Sequence, residues 1–138
     1  MMRKYLKGDA QKVIVQKEQV DEAKVFAACF DEINAYTFAD ENNKIYAVFG
    51  WWQRNDICGE CFALLGQDCG KKLLHIIRFF KREIPDVMQR YHLQYAFMTV
   101  KKNFIPAKRL AKLLGFSLAA DLPLFFNGSD YQLFERKL

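Results

Sequence analysis

The segment 65–72, with the sequence LGQDCGKK, has the residue types of an anion-binding loop. It follows an apolar run and precedes a basic amphipathic segment, so a strand should pass through it into the start of a helix. N–H groups at a helix start point outward, and the helix dipole there favours a phosphate. Lys71 and Lys72 can pair with phosphate oxygens, whereas the Asp68 carboxylate would repel them. The loop therefore predicts a phosphate site, with a simple glycine turn as the alternative.

Hydrophobic periodicity places this loop among alternating strands and helices. The predicted strands are residues 12–17, 35–40, 44–52, 57–65, 93–100, 117–126 and 131–136. The predicted helices are residues 18–32, 70–82 and 106–114, with Pro85 breaking or restarting the second and residues 86–91 adding one further turn. Gly115 predicts the end of the last helix, and Asn127-Gly128 predicts a hairpin between the last two strands.

This order predicts an α/β protein with one central mixed sheet of about six or seven strands, flanked by helices. An antiparallel meander comes first, then a strand–helix–strand unit, then a hairpin. Strand 93–100 should run parallel to strand 57–65, because a helix connects them within one sheet. The length of 138 residues suits a single domain, residues 1–138, with one core.

Composition narrows the classes of partner. Hydrophobic residues make up 51% of the chain, which supplies a packed core, and the net charge is +5. The basic residues concentrate in residues 71–112, which suits a solvated surface, an anionic cofactor or a nucleic acid. Nucleic acid is disfavoured because no binding signature accompanies the charge. No apolar run reaches the roughly 18 residues of a membrane span, and the polar start is unlike a signal peptide. We therefore expect a cytoplasmic protein without membrane contact.

The four cysteines and two histidines form no recognisable metal or nucleophile site in the sequence. Cys58 and Cys61 have CxxC spacing, but they lie in a predicted strand and lack a second pair of ligands. Without a secretion signal, the thiols should be reduced. His75 is expected to pack against its surroundings and His92 to be solvated, so neither a metal nor a Ser-His-Asp arrangement is predicted.

The order of elements and the segment NFIPAKRLAKLLGF, residues 103–116, resemble the GNAT family of acyl-CoA-dependent N-acetyltransferases. The resemblance covers residues 12–137. Within the family, the chain is most similar to the short, degenerate GNAT-like proteins of phages and prophages, including a small internal virion protein of short-tailed phages. The resemblance implies acetyl-CoA as cofactor and an unidentified primary amine as acceptor. The alternative is a noncatalytic virion or interaction protein that contacts phage structural proteins.

The resemblance also implies where the cofactor binds. Members of the family lay the pantetheine arm along the strand before the loop and hold the pyrophosphate on loop amides, in the pattern Q/R-x-x-G-x-G/A. In one register, Gln67 and Gly70 match the first two positions and Lys72 replaces the last small residue. In the other, Gly70 is the last glycine, and Asp68 and Leu65 replace the earlier glycine and the Q/R position. The implied cofactor-binding residues are Leu64, Leu65, Gln67, Cys69, Gly70, Lys71, Lys72 and Asn103.

Amine acetylation needs a base for the attacking ammonium and often an acid for the leaving thiolate. By resemblance, Glu60 on the strand before the loop is the catalytic base, with a solvent-facing strand carboxylate as the alternative. The tyrosine that usually serves as the acid, four residues before the glycine, is replaced by Ala111. Tyr95, Tyr131 and a water stay open as proton donors. Asn103 matches the asparagine that opens this segment in the family, and it also suits an N-cap of the following helix.

Overall fold

The computed structural model describes residues 1–26, 30 and 34–137. Its strands are β1 (Met2–Lys4), β2 (Asn34–Ala39), β3 (Ile45–Gln53), β4 (Cys58–Leu65), β5 (Tyr95–Lys101), β6 (Ser117–Phe126) and β7 (Ser129–Lys137). Its helices are α1 (Asp9–Lys12), α2 (Val20–Phe26), α3 (Leu73–Arg90) and α4 (Ile105–Leu113), with 3-10 turns at Lys17–Gln19 and Cys69–Lys72. The strands form one seven-stranded sheet in the order β1-β2-β3-β4-β5-β7-β6. The predicted mixed sheet flanked by helices is confirmed.

The strand pairings give the sheet its mixed character. β1, β2 and β3 pair antiparallel in sequence order. β4 and β5 are parallel, with Cys58 opposite Tyr95 and Glu60 opposite Phe97, as the strand–helix–strand pattern predicts. β7 pairs antiparallel with both β5 and β6, so the last strand in sequence lies between them.

The first of two compact units comprises residues 1–52 and 61–76. Its core is an apolar cluster that includes Val13, Phe30, Val48 and Leu64. Ile45 and Val48 of β3 and Leu64 of β4 are buried in this core. The loop that follows β4 is therefore attached to a packed strand.

The second compact unit comprises residues 53–60 and 77–138. Its buried side chains include Met88, Ala96 and Phe134, from α3, β5 and β7. Gly115 ends α4 as predicted, with a φ of +88° that few other residues adopt, and the Arg136 guanidinium donates to the Leu114 carbonyl oxygen at 2.7 Å. The hairpin predicted from Asn127-Gly128 is also confirmed, since both residues have the positive φ of its turn.

The strand predicted at residues 12–17 is wrong. α1 ends at Lys12, Val15 makes only an isolated bridge with Gly66, and a 3-10 turn begins at Lys17. Of the β-branched residues, Val13 is buried in the core at 7% exposure, whereas Ile14 is 70% exposed. The first strand is Met2–Lys4 instead.

The predicted break at Pro85 is also wrong, because α3 continues through the proline to Arg90. A proline removes one backbone donor and bends a helix, but the flanking hydrogen bonds can hold it together. The predicted helix 18–32 begins as α2, and residues 27–29 and 31–33 lie outside the described part of the chain. None of the described helices is long and apolar enough to cross a membrane.

Candidate functional site

Glu60 lies in β4, and its side chain is only 9% exposed, so it is not a solvent-facing carboxylate. Arg54 Nε donates to Glu60 Oε1 at 2.6 Å. The Arg54 N–H donates to the Cys58 carbonyl oxygen at 2.8 Å, so the turn after β3 brings the guanidinium back to β4. Burial of a carboxylate is tolerated when it is paired in this way. The result is a charged group of fixed position, which is what proton transfer from a bound ammonium requires.

Gly66, directly after β4, is held by the fold itself. Its N–H donates to the Tyr46 carbonyl oxygen at 2.8 Å. A Cβ at Gly66 would lie 2.6 Å from that oxygen and 3.4 Å from Val13 Cγ2. Packing alone therefore requires a glycine here, which supports the simple-turn alternative at this position.

Gly70 is in a different situation. A Cβ at Gly70 would meet no atom of the described residues within 4 Å, and the residue is not among those with positive φ. It belongs to the 3-10 turn Cys69–Lys72, which leads directly into α3, and its carbonyl oxygen accepts the Leu73 N–H. The first N–H groups of a helical segment lack acceptors within it. The backbone of this turn is therefore accessible to a ligand.

The Asp68 carboxylate is balanced by a residue distant in sequence. Lys44 Nζ lies 2.6 Å from Asp68 Oδ2, and both side chains are about half exposed. The hydrogen bond and charge of Asp68 raise the pKa of Lys44 above its ordinary value. Lys72 Nζ lies 5.7 Å from the centroid of the Tyr46 ring. Lys44 therefore neutralises Asp68, a partner that sequence reasoning did not identify. The pairing of Lys71 and Lys72 with phosphate oxygens stays a prediction, and the side chain of Lys71 lies outside the described part.

Several of the residues that the resemblance assigns to cofactor binding are buried or hydrogen-bonded within the protein. Leu64 and Leu65 are each 1% exposed, so their side chains belong to the core and only their backbones can meet a ligand. Burial raises the pKa of the Cys69 thiol, and the Cys69 N–H is bonded within the loop. The Gln67 N–H donates to the Ile14 carbonyl oxygen at 2.8 Å.

Residues 14–19 run beside β4 and bond to it. The Gln16 N–H donates to the Leu65 carbonyl oxygen at 3.1 Å. The Gln19 side chain, in a residue that is 5% exposed, accepts from the Leu65 N–H at 2.7 Å and donates to the Ala63 carbonyl oxygen at 2.8 Å. Sequence reasoning missed Gln19 because a glutamine gives no local signal of burial. Only the folded structure shows that Leu65 and Ala63 lie beside the Gln19 amide.

The start of α4 differs from the expectation for Asn103. Asn103 is exposed in the preceding turn, and the N-cap position belongs to Phe104, so the predicted cap by Asn103 is wrong. Phe104 is 2% exposed and fixes the helix start by packing. Ala111 is 0% exposed, so a tyrosine in its place would overfill the interior.

The two tyrosines left open as proton donors are both held within the protein. Burial and a hydrogen bond with Glu135 raise the pKa of Tyr95 to about 12, so it holds its proton more tightly than an ordinary tyrosine. Tyr131 is 3% exposed, with its ring 5.6 Å from the Phe125 ring and 6.1 Å from the Phe126 ring.

Within the described ranges, no group of three or more His, Cys, Asp or Glu side chains is placed to hold a metal ion. Cys58 and Cys61 are half-buried residues of β4. The His75 ring stacks on Phe38 at 6.3 Å, and His92 lies in the turn after α3.

No protein-family model and no curated protein matches the chain. Solved structures match it over almost its whole length. An acetyltransferase of the GNAT family from Bacillus anthracis has a TM-score of 0.73 at 9% identity, covering 99% of this chain and 93% of its own. YncA of Salmonella typhimurium, solved with its cofactor acetyl-CoA, has a TM-score of 0.66 at 16% identity, covering 100% and 93%. A variant of spermidine N-acetyltransferase SpeG from Vibrio cholerae has a TM-score of 0.67 at 12% identity, covering 99% and 94%. At these identities the likeness establishes the fold, which is that of the GNAT acetyltransferases.

Proposed function

We propose that the protein transfers an acetyl group from acetyl-CoA to a primary amine. The observation that carries the proposal is the unit formed by β4, its loop and α3, in which the Gly70 backbone lies open at a helix start. YncA, a structure of the same fold, contains acetyl-CoA, which supports this use of the unit. The acceptor is a primary amine of unassigned identity, and spermidine is the first to test because a matched structure is a spermidine N-acetyltransferase.

The cofactor's pyrophosphate binds the backbone of the turn Cys69–Lys72, where the helix dipole and the first N–H groups favour an anion. Lys72 adds a positive charge at the same end of the helix. The Lys44–Asp68 ion pair supports the proposal because it offsets the one carboxylate in the loop. The pantetheine arm lies along β4, where its two amides bond to backbone groups of the strand.

Glu60 is the proposed catalytic base. It removes a proton from the acceptor ammonium, and the free amine attacks the thioester carbonyl carbon. A C–N bond forms as the C–S bond breaks, and the proton that the nitrogen then loses passes through a water to the departing thiolate of coenzyme A. Arg54 acts as a positioning residue, since its guanidinium holds the Glu60 carboxylate. Both groups belong to the same compact unit.

Calorimetric titration with acetyl-CoA, followed by an assay of thiol release with spermidine and other primary amines, tests the proposal. Glu60→Gln should lower kcat by about 100-fold or more, as expected for loss of a general base, and leave acetyl-CoA affinity nearly unchanged. Glu41→Gln makes the same chemical change in an exposed turn and should leave both quantities unchanged. Folded protein that gives no heat with millimolar acetyl-CoA would refute the proposal.

A second candidate function is a noncatalytic role in a phage or prophage virion. Two observations favour it: Ala111 is buried where the family has its acid, and residues 14–19 already bond to the backbone of β4. Genes for tail and internal core proteins on both sides of the coding sequence, with no acetyl-CoA binding, would support this candidate. Detection of acetylated product would exclude it as the sole role.

A further inference from the structure

The two edges of β4 can be told apart by their hydrogen bonds. Backbone groups of successive residues in a strand point to opposite edges. The Gly66 N–H donates to the Tyr46 carbonyl oxygen of β3, so the backbone groups of its neighbour Leu65 point to the other edge. Ile57, an even number of residues before Leu65, accepts hydrogen bonds from Gln94 and Tyr95 at the start of the parallel pairing. The edge of β4 that faces away from β3 therefore pairs with β5 at its start and extends to Leu65.

Residues 14–19, here termed the strap, bond to the far part of this edge. Val15 forms an antiparallel bridge with Gly66. Backbone groups of the strap bond to the Leu65 carbonyl oxygen and the Gln67 N–H. The Gln19 amide completes the row at the Leu65 N–H and the Ala63 carbonyl oxygen.

We propose that the strap is an autoinhibitory contact that occupies the pantetheine edge of β4 and must leave it before acyl-CoA binds. This inference rests on the proposed function, which places an extended, amide-bearing ligand along β4. An amide side chain and a pantetheine amide offer the same donor and acceptor pair. Gln19 therefore holds the position that a ligand amide would take.

The way the strap is held allows it to be displaced. Val13, directly before the strap, is anchored in the core at 7% exposure, whereas Ile14 at the start of the strap is 70% exposed. The contacts of the strap with β4 that are described above are hydrogen bonds, and exchanging one amide partner for another changes the free energy little. Replacement of the strap's hydrogen bonds by those of a ligand amide should therefore change the free energy little. The apparent affinity for acyl-CoA is then lowered by the fraction of molecules in which the strap is closed.

The test combines coenzyme A titration with amide hydrogen exchange in the full chain. Gln19→Ala removes both side-chain bonds to β4 and should tighten coenzyme A binding roughly tenfold, while the exchange of the Leu65 amide speeds up by a similar factor. Exchange of the Gly66 amide, which bonds to Tyr46, should not change. Gln11→Ala, at an exposed position of α1, is the matched control and should leave both measurements unaltered.

A second variant allows the test to be made if Gln19→Ala does not fold. Gln16 has a φ of −68°, which proline adopts, so Gln16→Pro removes the N–H bond to Leu65 without forcing the backbone. It should tighten coenzyme A binding in the same direction, by about threefold.

Three outcomes are distinguishable. Tighter binding with faster Leu65 exchange supports the strap and the proposed function together. Unchanged or weaker binding, with Leu65 exchange accelerated, overturns the strap as a competitor but leaves the proposed function standing. If neither the parent nor any variant binds coenzyme A although the Leu65 amide is exposed, the proposed function fails, and the autoinhibitory role of the strap fails with it.

Discussion

The two ends of the loop between β4 and α3 differ in what the fold demands of them. At the first end, Gly66 lies against the backbone of Tyr46, and a Cβ would come within 2.6 Å of its carbonyl oxygen. At the second end, a Cβ on Gly70 would meet nothing within 4 Å. A glycine that packing requires carries no information about a ligand, whereas one that packing does not require is consistent with a ligand site. Function is therefore best tested at the second end, with the first end as the control.

The largest effect should follow Gly66→Ala. The added methyl group meets backbone rather than a movable side chain, so we expect the free energy of unfolding to fall by about 1–3 kcal/mol, as for other overpacked sites. Urea unfolding measures this as a lower midpoint with an unchanged slope. An unchanged midpoint would mean that the Tyr46 backbone can move away, and the contrast between the two glycines would be lost.

Gly70→Ala should have the opposite profile. Stability should be unchanged or higher by about 0.5–1 kcal/mol, because alanine is favoured over glycine in helical segments. Coenzyme A affinity should fall roughly tenfold, the equivalent of one lost charge-assisted hydrogen bond, since the methyl group limits approach to the backbone. Calorimetry and urea unfolding on the same preparation separate the two effects. Parent-like affinity in a folded variant would show that the open glycine serves no ligand.

Substitutions in the Lys44–Asp68 ion pair allow the charge at the Gly70 end of the loop to be varied. Lys44→Ala leaves the Asp68 carboxylate uncompensated and should weaken coenzyme A binding by about threefold at low salt, with a smaller effect at high salt. Asp68→Asn should strengthen binding by a similar factor, and the double variant should return toward the parent. An effect of the same sign for both single variants would exclude this electrostatic account.

The same pair should be insensitive to pH near neutrality. Asp68 raises the pKa of Lys44 above its ordinary value of 10.5, so the ammonium is lost only as the pH rises through that higher value. The difference in affinity between the parent and Lys44→Ala should therefore stay constant between about pH 6 and 9. Titrations at three pH values check this.

The smallest effect is expected for Lys72→Ala. A lysine in the first turn is unfavourable with the helix dipole, but its ammonium lies 5.7 Å from the Tyr46 ring centroid, so the two contributions oppose each other. We expect the melting temperature to change by at most about 2 °C and coenzyme A affinity to fall by about twofold at low salt. A salt-independent loss of affinity would indicate a structural role for Lys72 instead.

Elements set by local residue patterns were predictable from the sequence. The loop between β4 and α3, the turn at Asn127-Gly128 and the end of α4 at Gly115 depend on glycine, hydrophobic period and short-range hydrogen bonds. The parallel pairing of β4 with β5 followed because a helix connects the two strands. Within the candidate site, the position of Gly70 at a helix start was predictable for the same local reason.

The partners of the polar side chains were not predictable, because they are set by contacts between distant parts of the chain. Gln19 bonds to Leu65, 46 residues away, and Lys44 bonds to Asp68, 24 residues away. Residues 12–17 read as a strand because Val13, Ile14 and Val15 are β-branched, yet only an isolated bridge forms there. Local propensity does not indicate whether a second segment will come close enough to pair.

By itself, the sequence determined the succession of strands and helices from residue 34 onward and the position of a glycine-bearing loop at a helix start, since both depend on neighbouring residues. Only the tertiary structure decided that Gly66 is fixed by packing while Gly70 is not, that Arg54 neutralises Glu60, and that the strap covers part of β4. Those features depend on which backbone and side-chain atoms meet after the chain folds, and a polar residue looks the same in the sequence whether its partner is water or a strand edge.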